Sequence, residues 1–270
     1  MKDDRKLMQL QTLLLLALTF FFQLSFYAQS DTGLKTSKDA VYGEEGVDVL
    51  YSHTVGMSLF AHTRGGGVNI RYGRFITAKE SRSFAFDLFY TKHIREELTA
   101  NPAYSEALPY TFGKVNAMFT TRFSFEKRQE ITPKLRFGAV QVGCLYRLGL
   151  NVGFLKPVYL NIGYPELPYE YYLTERYNPE EHFYDDIYER APWSNGLDEM
   201  ILVPGLHGGF GISFEYGDER GLTKSLEVGA YFDVYLKEME IMSVQFVDPS
   251  RYFLSLYLKF EMGANWTDDR

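Results

Sequence analysis

The amino-acid sequence predicts an all-β fold, an eight-stranded antiparallel up-and-down transmembrane β-barrel with a long extracellular third loop. Three observations predict it: long segments in which apolar and polar residues alternate, connections that are alternately short and long, and a secretory signal at the N-terminus. Composition agrees, because 46% of the 270 residues are hydrophobic and 17% are aromatic. A net charge of −7 argues against nucleic acid as a partner, and the single cysteine excludes an intramolecular disulfide.

The first element is a predicted signal peptide. Basic residues at the start of the chain precede the apolar run Leu13–Leu24, and the small residue Ala28 follows. The run is shorter than the ~20 residues that a transmembrane helix needs. Cleavage near Ala28 divides the chain into a signal peptide at 1–28, a periplasmic N-terminal segment at 29–50 and the barrel at 51–270.

Eight amphipathic segments are the predicted strands. They lie at about 54–64, 67–77, 83–93, 115–126, 134–150, 206–216, 226–237 and 252–262. In the last segment Leu254, Leu256 and Leu258 alternate with more polar residues, which gives the strand one apolar and one mixed face. Most segments reach the ~9–11 residues of a membrane-crossing strand, whereas strands of soluble proteins cluster near ~5–6. A shift of the apolar parity near Gly138 and Ala139 predicts a bulge.

The connections follow the same plan. Those after the second, fourth and sixth segments are short, and the others, apart from Gly65–Gly67, are long; the longest covers about 151–200. Outer-membrane barrels have short periplasmic turns and longer extracellular loops, and an even number of strands returns both termini to the periplasm. A soluble β-sandwich or lipocalin-like barrel alternates in the same way and stays open as the alternative fold.

The mixed faces predict the content of the barrel. An eight-stranded barrel has room only for side chains or one small ligand. Both signs of charge occur in near balance, which favours a lumen plugged by ion pairs over a pore with a one-sided lining. The predicted polar network of the lumen comprises His62, Arg64, Arg71, Asp87, Arg122, Glu126, Arg147, Glu215, Glu227, Asp233, Lys237, Lys259 and Glu261. A narrow channel for small solutes or ions stays open as an alternative function.

One segment of the third loop is both acidic and aromatic. Residues 165–200 hold ten acidic and two basic residues together with eight large rings. Tyr and Trp are favoured at binding interfaces. The predicted interaction surface comprises Tyr169, Tyr171, Tyr172, Tyr177, Phe183, Tyr184, Tyr188 and Trp193. The alternative is that these rings pack on one another over the barrel mouth. A further alternative is a calcium site formed by Glu180, Glu181, Asp185 and Asp186, although the segment lacks the spacing of an EF-hand.

The sequence predicts no enzymatic activity and no cofactor. It contains neither an HExxH motif nor a Gly-x-Ser-x-Gly elbow. A barrel-embedded hydrolase stays open as a third alternative, with Ser58 and His62 as its nominal pair. Cys144 lies on an apolar face, where it acts as a small hydrophobe.

The Ala28-Gln29 junction, the eight amphipathic segments and the stretch 149–160 (GLNVGFLKPVYL) resemble small outer-membrane β-barrel proteins of Bacteroidota. In size and layout the chain is similar to the PorT and PorG barrels of the type IX secretion system. This resemblance implies a Gram-negative outer membrane, contact with outer-membrane lipid and no enzymatic activity. It also implies an accessory role in secretion or surface assembly, with a protein partner at the extracellular loop.

Overall fold

The computed structural model describes residues 51–77, 79–132, 140–165, 167–216 and 222–267, and every regular element in these ranges is a β-strand. In these ranges no helix is long and apolar enough to cross a bilayer. The strands are β1 (His53–His62), β2 (Gly65–Thr77), β3 (Glu80–Thr91), β4 (Leu98–Thr99), β5 (Tyr110–Thr111), β6 (Asn116–Thr132), β7 (Gln141–Pro157), β8 (Tyr159–Tyr164), β9 (Tyr171–Arg176), β10 (Ile187–Arg190), β11 (Ile201–Tyr216), β12 (Leu222–Met239) and β13 (Ser250–Trp266). The predicted signal peptide and the N-terminal segment at 29–50 lie outside the described residues.

Eight of these strands form a closed barrel in the order β1-β13-β12-β11-β7-β6-β3-β2. Each pairs in antiparallel fashion with the next barrel strand along the chain, and β1 closes the ring against β13 from His53↔Trp266 to His62↔Tyr257. The prediction of an eight-stranded antiparallel up-and-down barrel is confirmed. β4 and β5 form a separate pair, and β8 lies between β10 and β9 in a three-stranded sheet.

The barrel has two different ends. The connections 63–64, 92–115, 158–200 and 240–249 emerge at one end, which we call the loop end, and the remaining connections join strands at the opposite turn end. The connection after β1 is tighter than the sequence predicts, because Gly65–Gly67 belong to β2. Gly65 has a φ of 152°, and a Cβ there would collide with the carbonyl oxygen of Tyr90.

Most strands extend beyond their predicted bounds, and the largest extensions are at the ends of β7 and β6. β7 ends at Pro157 rather than near 150, and β6 continues to Thr132 rather than 126. The extra residues of β7 are paired on both sides, since Leu155 lies opposite Met118 of β6 and Ile201 of β11. The third loop therefore begins at 158. The predicted bulge at 138–139 lies outside the described residues.

Polar side chains lie inside the barrel and apolar side chains lie outside it. In β13 the alternate residues Phe253, Ser255, Tyr257, Lys259 and Glu261 are buried, whereas the residues between them are exposed. The exposed apolar side chains continue around the whole circumference and form what we call the apolar belt. One representative from each barrel strand in chain order is Leu59, Ile70, Phe84, Phe123, Leu148, Leu206, Phe232 and Leu256.

The height of the apolar belt can be derived from strand geometry. Along β13 the exposed apolar residues run from Tyr252 to Met262. At ~3.4 Å per residue and a tilt of ~40°, this run rises ~26 Å, against ~25 Å for the apolar band of outer-membrane barrels.

The third loop has its own fold at the loop end. β8 pairs with β9 from Tyr159↔Arg176 to Tyr164↔Tyr171, and with β10 through Leu160↔Arg190. We call this three-stranded sheet, together with the residues that join its strands, the loop sheet. A buried cluster lies beneath it and comprises Tyr110, Leu160, Ile162, Tyr177 and Ile187. Because the acidic third loop packs on this buried cluster, it presents a surface of fixed structure, unlike a long connection without secondary structure.

Candidate functional site: the barrel interior and the loop sheet

Arg147 of β7 is the centre of the polar network inside the barrel. Its Nε donates to Glu126 of β6, while Nη1 and Nη2 donate to the two carboxylate oxygens of Glu227 at 2.5 and 2.8 Å. Nη1 also donates to the Tyr257 hydroxyl at 2.6 Å, and this hydroxyl donates to Glu227. A buried guanidinium with two carboxylates and a phenol thus joins β6, β7, β12 and β13.

A second buried pair lies beside this centre. The guanidinium of Arg122 on β6 donates to both carboxylate oxygens of Asp233 on β12, at 2.8 Å from Nε and 2.5 Å from Nη2. It is held between the rings of Phe89 and Tyr231, whose centroids lie 4.0 and 4.3 Å from Cζ. Asn151 adds a further donor to Asp233 at 2.9 Å. The bidentate pair and the stacking fix the guanidinium in one orientation.

A third group of charges spans the seam between the first and last strands. Arg71 of β2 donates to both carboxylate oxygens of Glu261 on β13, reaching past β1. Towards the turn end Arg128 lies 3.4 Å from Glu261 and 3.9 Å from Glu215. Lys259 Nζ lies 3.9 Å from a carboxylate oxygen of Asp87.

Stacked tyrosines occupy the space that glycines leave free. The rings of Tyr231 and Tyr257 are parallel within 16° with centroids 4.0 Å apart. A Cβ at Gly209 would lie 2.8 Å from the Tyr231 ring, and one at Gly229 would lie 2.6 Å from the Tyr257 hydroxyl. The lumen glycines therefore make room for large side chains and not only for curvature.

The loop end of the interior is closed by apolar side chains. A buried cluster, which we call the apolar plug, comprises Met118, Leu155, Val203, Tyr235, Met239, Ile241 and Phe253. It draws on five barrel strands and on the loop after β12. Charged pairs in the middle and an apolar plug above them fill the described interior.

The structure places nine of the predicted lumen residues inside the barrel and nearly fully buried: Arg71, Asp87, Arg122, Glu126, Arg147, Glu227, Asp233, Lys259 and Glu261. Glu215 lies at the turn end with a side chain that is 20% exposed. His62 and Arg64 lie at the loop end, where the Arg64 guanidinium is 5.1 Å from the Phe253 ring centroid. Lys237 is exposed and does not belong to the network, because the register between β12 and β13 shifts between Val234 and Met239.

Several interior residues were not among the predicted ones. The hydroxyl of Ser124 and Nε2 of His207 lie 2.7 Å apart, and Asn69 donates to Asp87 at 2.8 Å. Thr120 and the Tyr235 hydroxyl lie 3.0 Å apart. Each of these residues lies in the same alternating row of its strand as the predicted charged residues. The alternation in the sequence was therefore enough to predict that they face the lumen.

The nominal hydrolase pair is not brought together. Ser58 hydrogen-bonds to Asn69 at 3.1 Å and to Glu261 at 3.5 Å rather than to His62. The hydroxyl of Ser124 does approach a histidine, Nε2 of His207, but both side chains are buried, and Nδ1 of His207 has no hydrogen-bond partner among the described residues. The histidine therefore lacks the acceptor that would orient it as a base for the serine nucleophile.

The aromatic residues of the third loop divide into buried and exposed groups. Tyr177 is in the core of the loop sheet, and Tyr169 stacks on Tyr104 with centroids 5.3 Å apart. Tyr188 stacks on Tyr172, again at 5.3 Å. The most exposed rings are Tyr171, Tyr172, Phe183, Tyr184 and Trp193. Part of the predicted surface is therefore internal packing, and the rest faces outward.

The four carboxylates of the calcium alternative do not converge. In the described part of the chain, no three His, Cys, Asp or Glu side chains are grouped as metal ligands. Asp186 instead accepts a hydrogen bond from the backbone N–H of Phe183 at 2.9 Å. That carboxylate stabilises the turn between β9 and β10.

Burial also shifts the pKa values of two tyrosines in the cluster beneath the loop sheet. It raises the pKa of Tyr110 and that of Tyr177 above the usual range for tyrosine. Both phenols therefore stay neutral near pH 7, and the Tyr110 hydroxyl donates to the carbonyl oxygen of Tyr184 at 3.5 Å. Neutral rings in the core leave the acidic charge of this segment on its surface.

Comparisons with known proteins provide a likeness of fold. No protein-family model matches the chain, and a comparison with curated proteins finds no match. Among solved structures the chain is similar to neisserial surface protein A (NspA), with a TM-score of 0.41 and 8% sequence identity. The alignment covers 80% of this chain and 97% of that protein. The strand register described above establishes the class of fold, a closed eight-stranded antiparallel barrel, independently of this likeness.

Proposed function

We propose that this chain is a non-enzymatic outer-membrane β-barrel with a side-chain-filled lumen, exported by a signal peptide cleaved near Ala28. It acts as a structural or interaction component through the loop sheet. The observation that carries the proposal is the inverted distribution of polarity, with ion pairs inside the barrel and an apolar belt around its outside. A soluble barrel buries apolar side chains and exposes polar ones, because water is its solvent.

The filled interior supports a structural role over transport. The buried charges of both signs are paired with one another, and the apolar plug lies above them at the loop end. A pore would need an open path with a consistent lining. The narrow channel is therefore the weaker of the two functions.

Conductance and gel mobility test this proposal together. We expect the mature protein to fractionate with the outer membrane and to migrate faster in gels before heating than after. Purified folded barrel in planar bilayers should show no single-channel steps, while a porin in the same bilayers verifies the assay. Recovery in the soluble fraction without a mobility shift would disprove the membrane location. Ohmic steps would disprove the filled lumen.

The loop sheet is the proposed interaction surface, in a role accessory to secretion or surface assembly. Tyr171, Tyr172 and Phe183 are each more than half exposed, and acidic side chains surround them. Large exposed rings with a fixed backbone lose little entropy on binding, which makes them good anchors for a protein partner. The proposed partner is a protein that presents basic and apolar side chains.

Substitution of these rings tests the interaction. We expect wild-type protein to form a discrete chemically cross-linked adduct on intact cells, and the triple variant Tyr171→Ser, Tyr172→Ser, Phe183→Ser to reduce its yield at least tenfold. Val244→Ser is the control, since Val244 is 62% exposed in a different loop. An adduct of equal yield in both variants, or none with the wild type, would contradict the role of the loop sheet.

A further inference from the structure

A cavity of about 780 Å³ lies on the outer wall of the barrel at its loop end. Its floor includes Tyr90, Ala117 and Lys156, the last two being opposite one another in the pairing of β6 and β7. All three belong to the outward-facing rows of their strands, in line with Phe119 and the apolar belt. The first long loop and the loop sheet form its sides. We call this cavity the wall groove.

The wall groove is rich in cations although the chain as a whole is acidic. Lys92, Lys114, Lys156 and Arg190 line it, against two carboxylates, those of Glu96 and Glu189. Both carboxylates are engaged by the protein. Glu96 accepts from Lys114 at 2.5 Å and from the backbone N–H of His93 at 2.8 Å, and Glu189 accepts from Leu108 N–H and from Asn161.

Three of the cations have no carboxylate partner among the described residues. Lys156 is only 4% exposed, and its Nζ donates to the carbonyl oxygens of Asn195 at 2.6 Å and Pro157 at 3.3 Å. Its ammonium lies 5.7 Å from the centroid of the Trp193 ring. Lys92 and Arg190 are exposed and form no salt bridge within the described ranges. The groove therefore presents positive charge that the protein itself does not neutralise.

The rest of the lining is apolar. Leu98, Leu108, Val158, Pro192 and Trp193 contribute to it. Trp193 is 62% exposed and meets the ring of Phe119 edge-on at 6.0 Å, which places an indole at the upper margin of the apolar belt. A groove with cations, an indole and apolar walls suits a ligand that has both anionic headgroup and acyl chain.

We propose that the wall groove binds a phosphate-bearing lipid of the outer leaflet. Arg190 and Lys92 contact the phosphate at the open side, Lys156 supplies a fixed positive charge at the floor, and the acyl chains continue down the apolar belt. This inference rests on the proposed outer-membrane location, because the groove then lies at the depth of the headgroups. Charge complementarity selects a phosphomonoester, which carries more charge than a phosphodiester.

Fluorescence of Trp193 provides the test. The chain has two tryptophans, so Trp266→Phe leaves Trp193 as the sole reporter. Folded barrel in a neutral maltoside detergent is titrated with lipid A, which bears phosphomonoesters, with dephosphorylated lipid A, and with inorganic phosphate. We expect saturable binding of lipid A, at least tenfold weaker binding of the dephosphorylated lipid, and no competition by inorganic phosphate at equal concentrations.

A charge-matched pair of variants completes the test. Arg190→Gln with Lys92→Gln should weaken lipid A binding about thirtyfold, since each of the two cations near a lipid surface contributes ~1 kcal/mol. Arg176→Gln with Arg251→Gln removes two exposed cations at the loop end outside the groove and should leave the affinity unchanged. Equal affinity of both lipids, competition by inorganic phosphate, or an unchanged affinity in the groove variant would overturn the proposal. Failure to fractionate with the outer membrane would overturn the location instead, and the micelle titration does not depend on that result.

Discussion

Replacement of Arg147 by methionine is expected to destabilise the barrel by ~3–5 kcal/mol, because it leaves buried carboxylates without their cation. Glu126 and Glu227 are both nearly inaccessible to solvent, and Arg147 is the guanidinium that contacts both. Methionine fills much of the volume, so the loss arises from uncompensated charge rather than from a cavity. The measurement is urea unfolding of the barrel in lipid vesicles, followed by heat-modifiable mobility.

Two further variants separate charge from volume. Arg251→Met removes an exposed arginine whose partner Glu238 is also half exposed, and should change the free energy of unfolding by less than ~1 kcal/mol. The triple variant Arg147→Met, Glu126→Gln, Glu227→Gln should recover a large part of the lost stability, because neither of the two carboxylates that Arg147 contacted then carries an uncompensated charge. If Arg147→Met is no more damaging than Arg251→Met, the ion pairs do not stabilise the interior as described.

A charge in the middle of the apolar belt is the second change with a large expected effect. Leu256→Arg should cost ~2–4 kcal/mol in a bilayer, because arginine at the midplane loses its hydration. Leu256 is central to the exposed run of β13 and pairs with Ala230 in the middle of β12. Unfolding from lipid vesicles measures the cost.

The depth of the substitution supplies the control. Leu236 is equally outward-facing and 70% exposed but lies near the loop end of β12, so Leu236→Arg should cost only ~0–1 kcal/mol. A soluble barrel would tolerate both substitutions equally, since both side chains are exposed. Equal effects of the two arginines would therefore contradict the membrane location.

The architecture could be predicted because the alternation of side chains is local information. The row of Leu254, Leu256 and Leu258 defines an outer face without any knowledge of the neighbouring strands. The extent of β7 could not be predicted in this way. Its last residues are strand because Leu155 pairs with Met118 and Ile201, and such pairing is set by residues distant in the chain.

In the candidate sites, too, the sequence predicts which way a side chain faces but not which residue it contacts. The sequence predicted that Arg147 and Arg122 face inward, yet it could not assign Glu227 to one and Asp233 to the other, since that choice depends on strand stagger. Likewise Tyr177 and Tyr172 look alike in the sequence, but one lies in the core of the loop sheet and the other is exposed. The wall groove needs three separate segments and has no local signature.

The pair of Arg71 and Glu261 has a consequence for assembly. The two residues belong to β2 and β13, on either side of β1, so they meet only when the first and last strands have joined. In an open sheet each would face lipid or water without its partner, at a cost that rises with burial. Insertion therefore favours an all-or-none closing step, in which the seam and its ion pair form together. A barrel missing either charge should accumulate as an unclosed, protease-sensitive assembly intermediate.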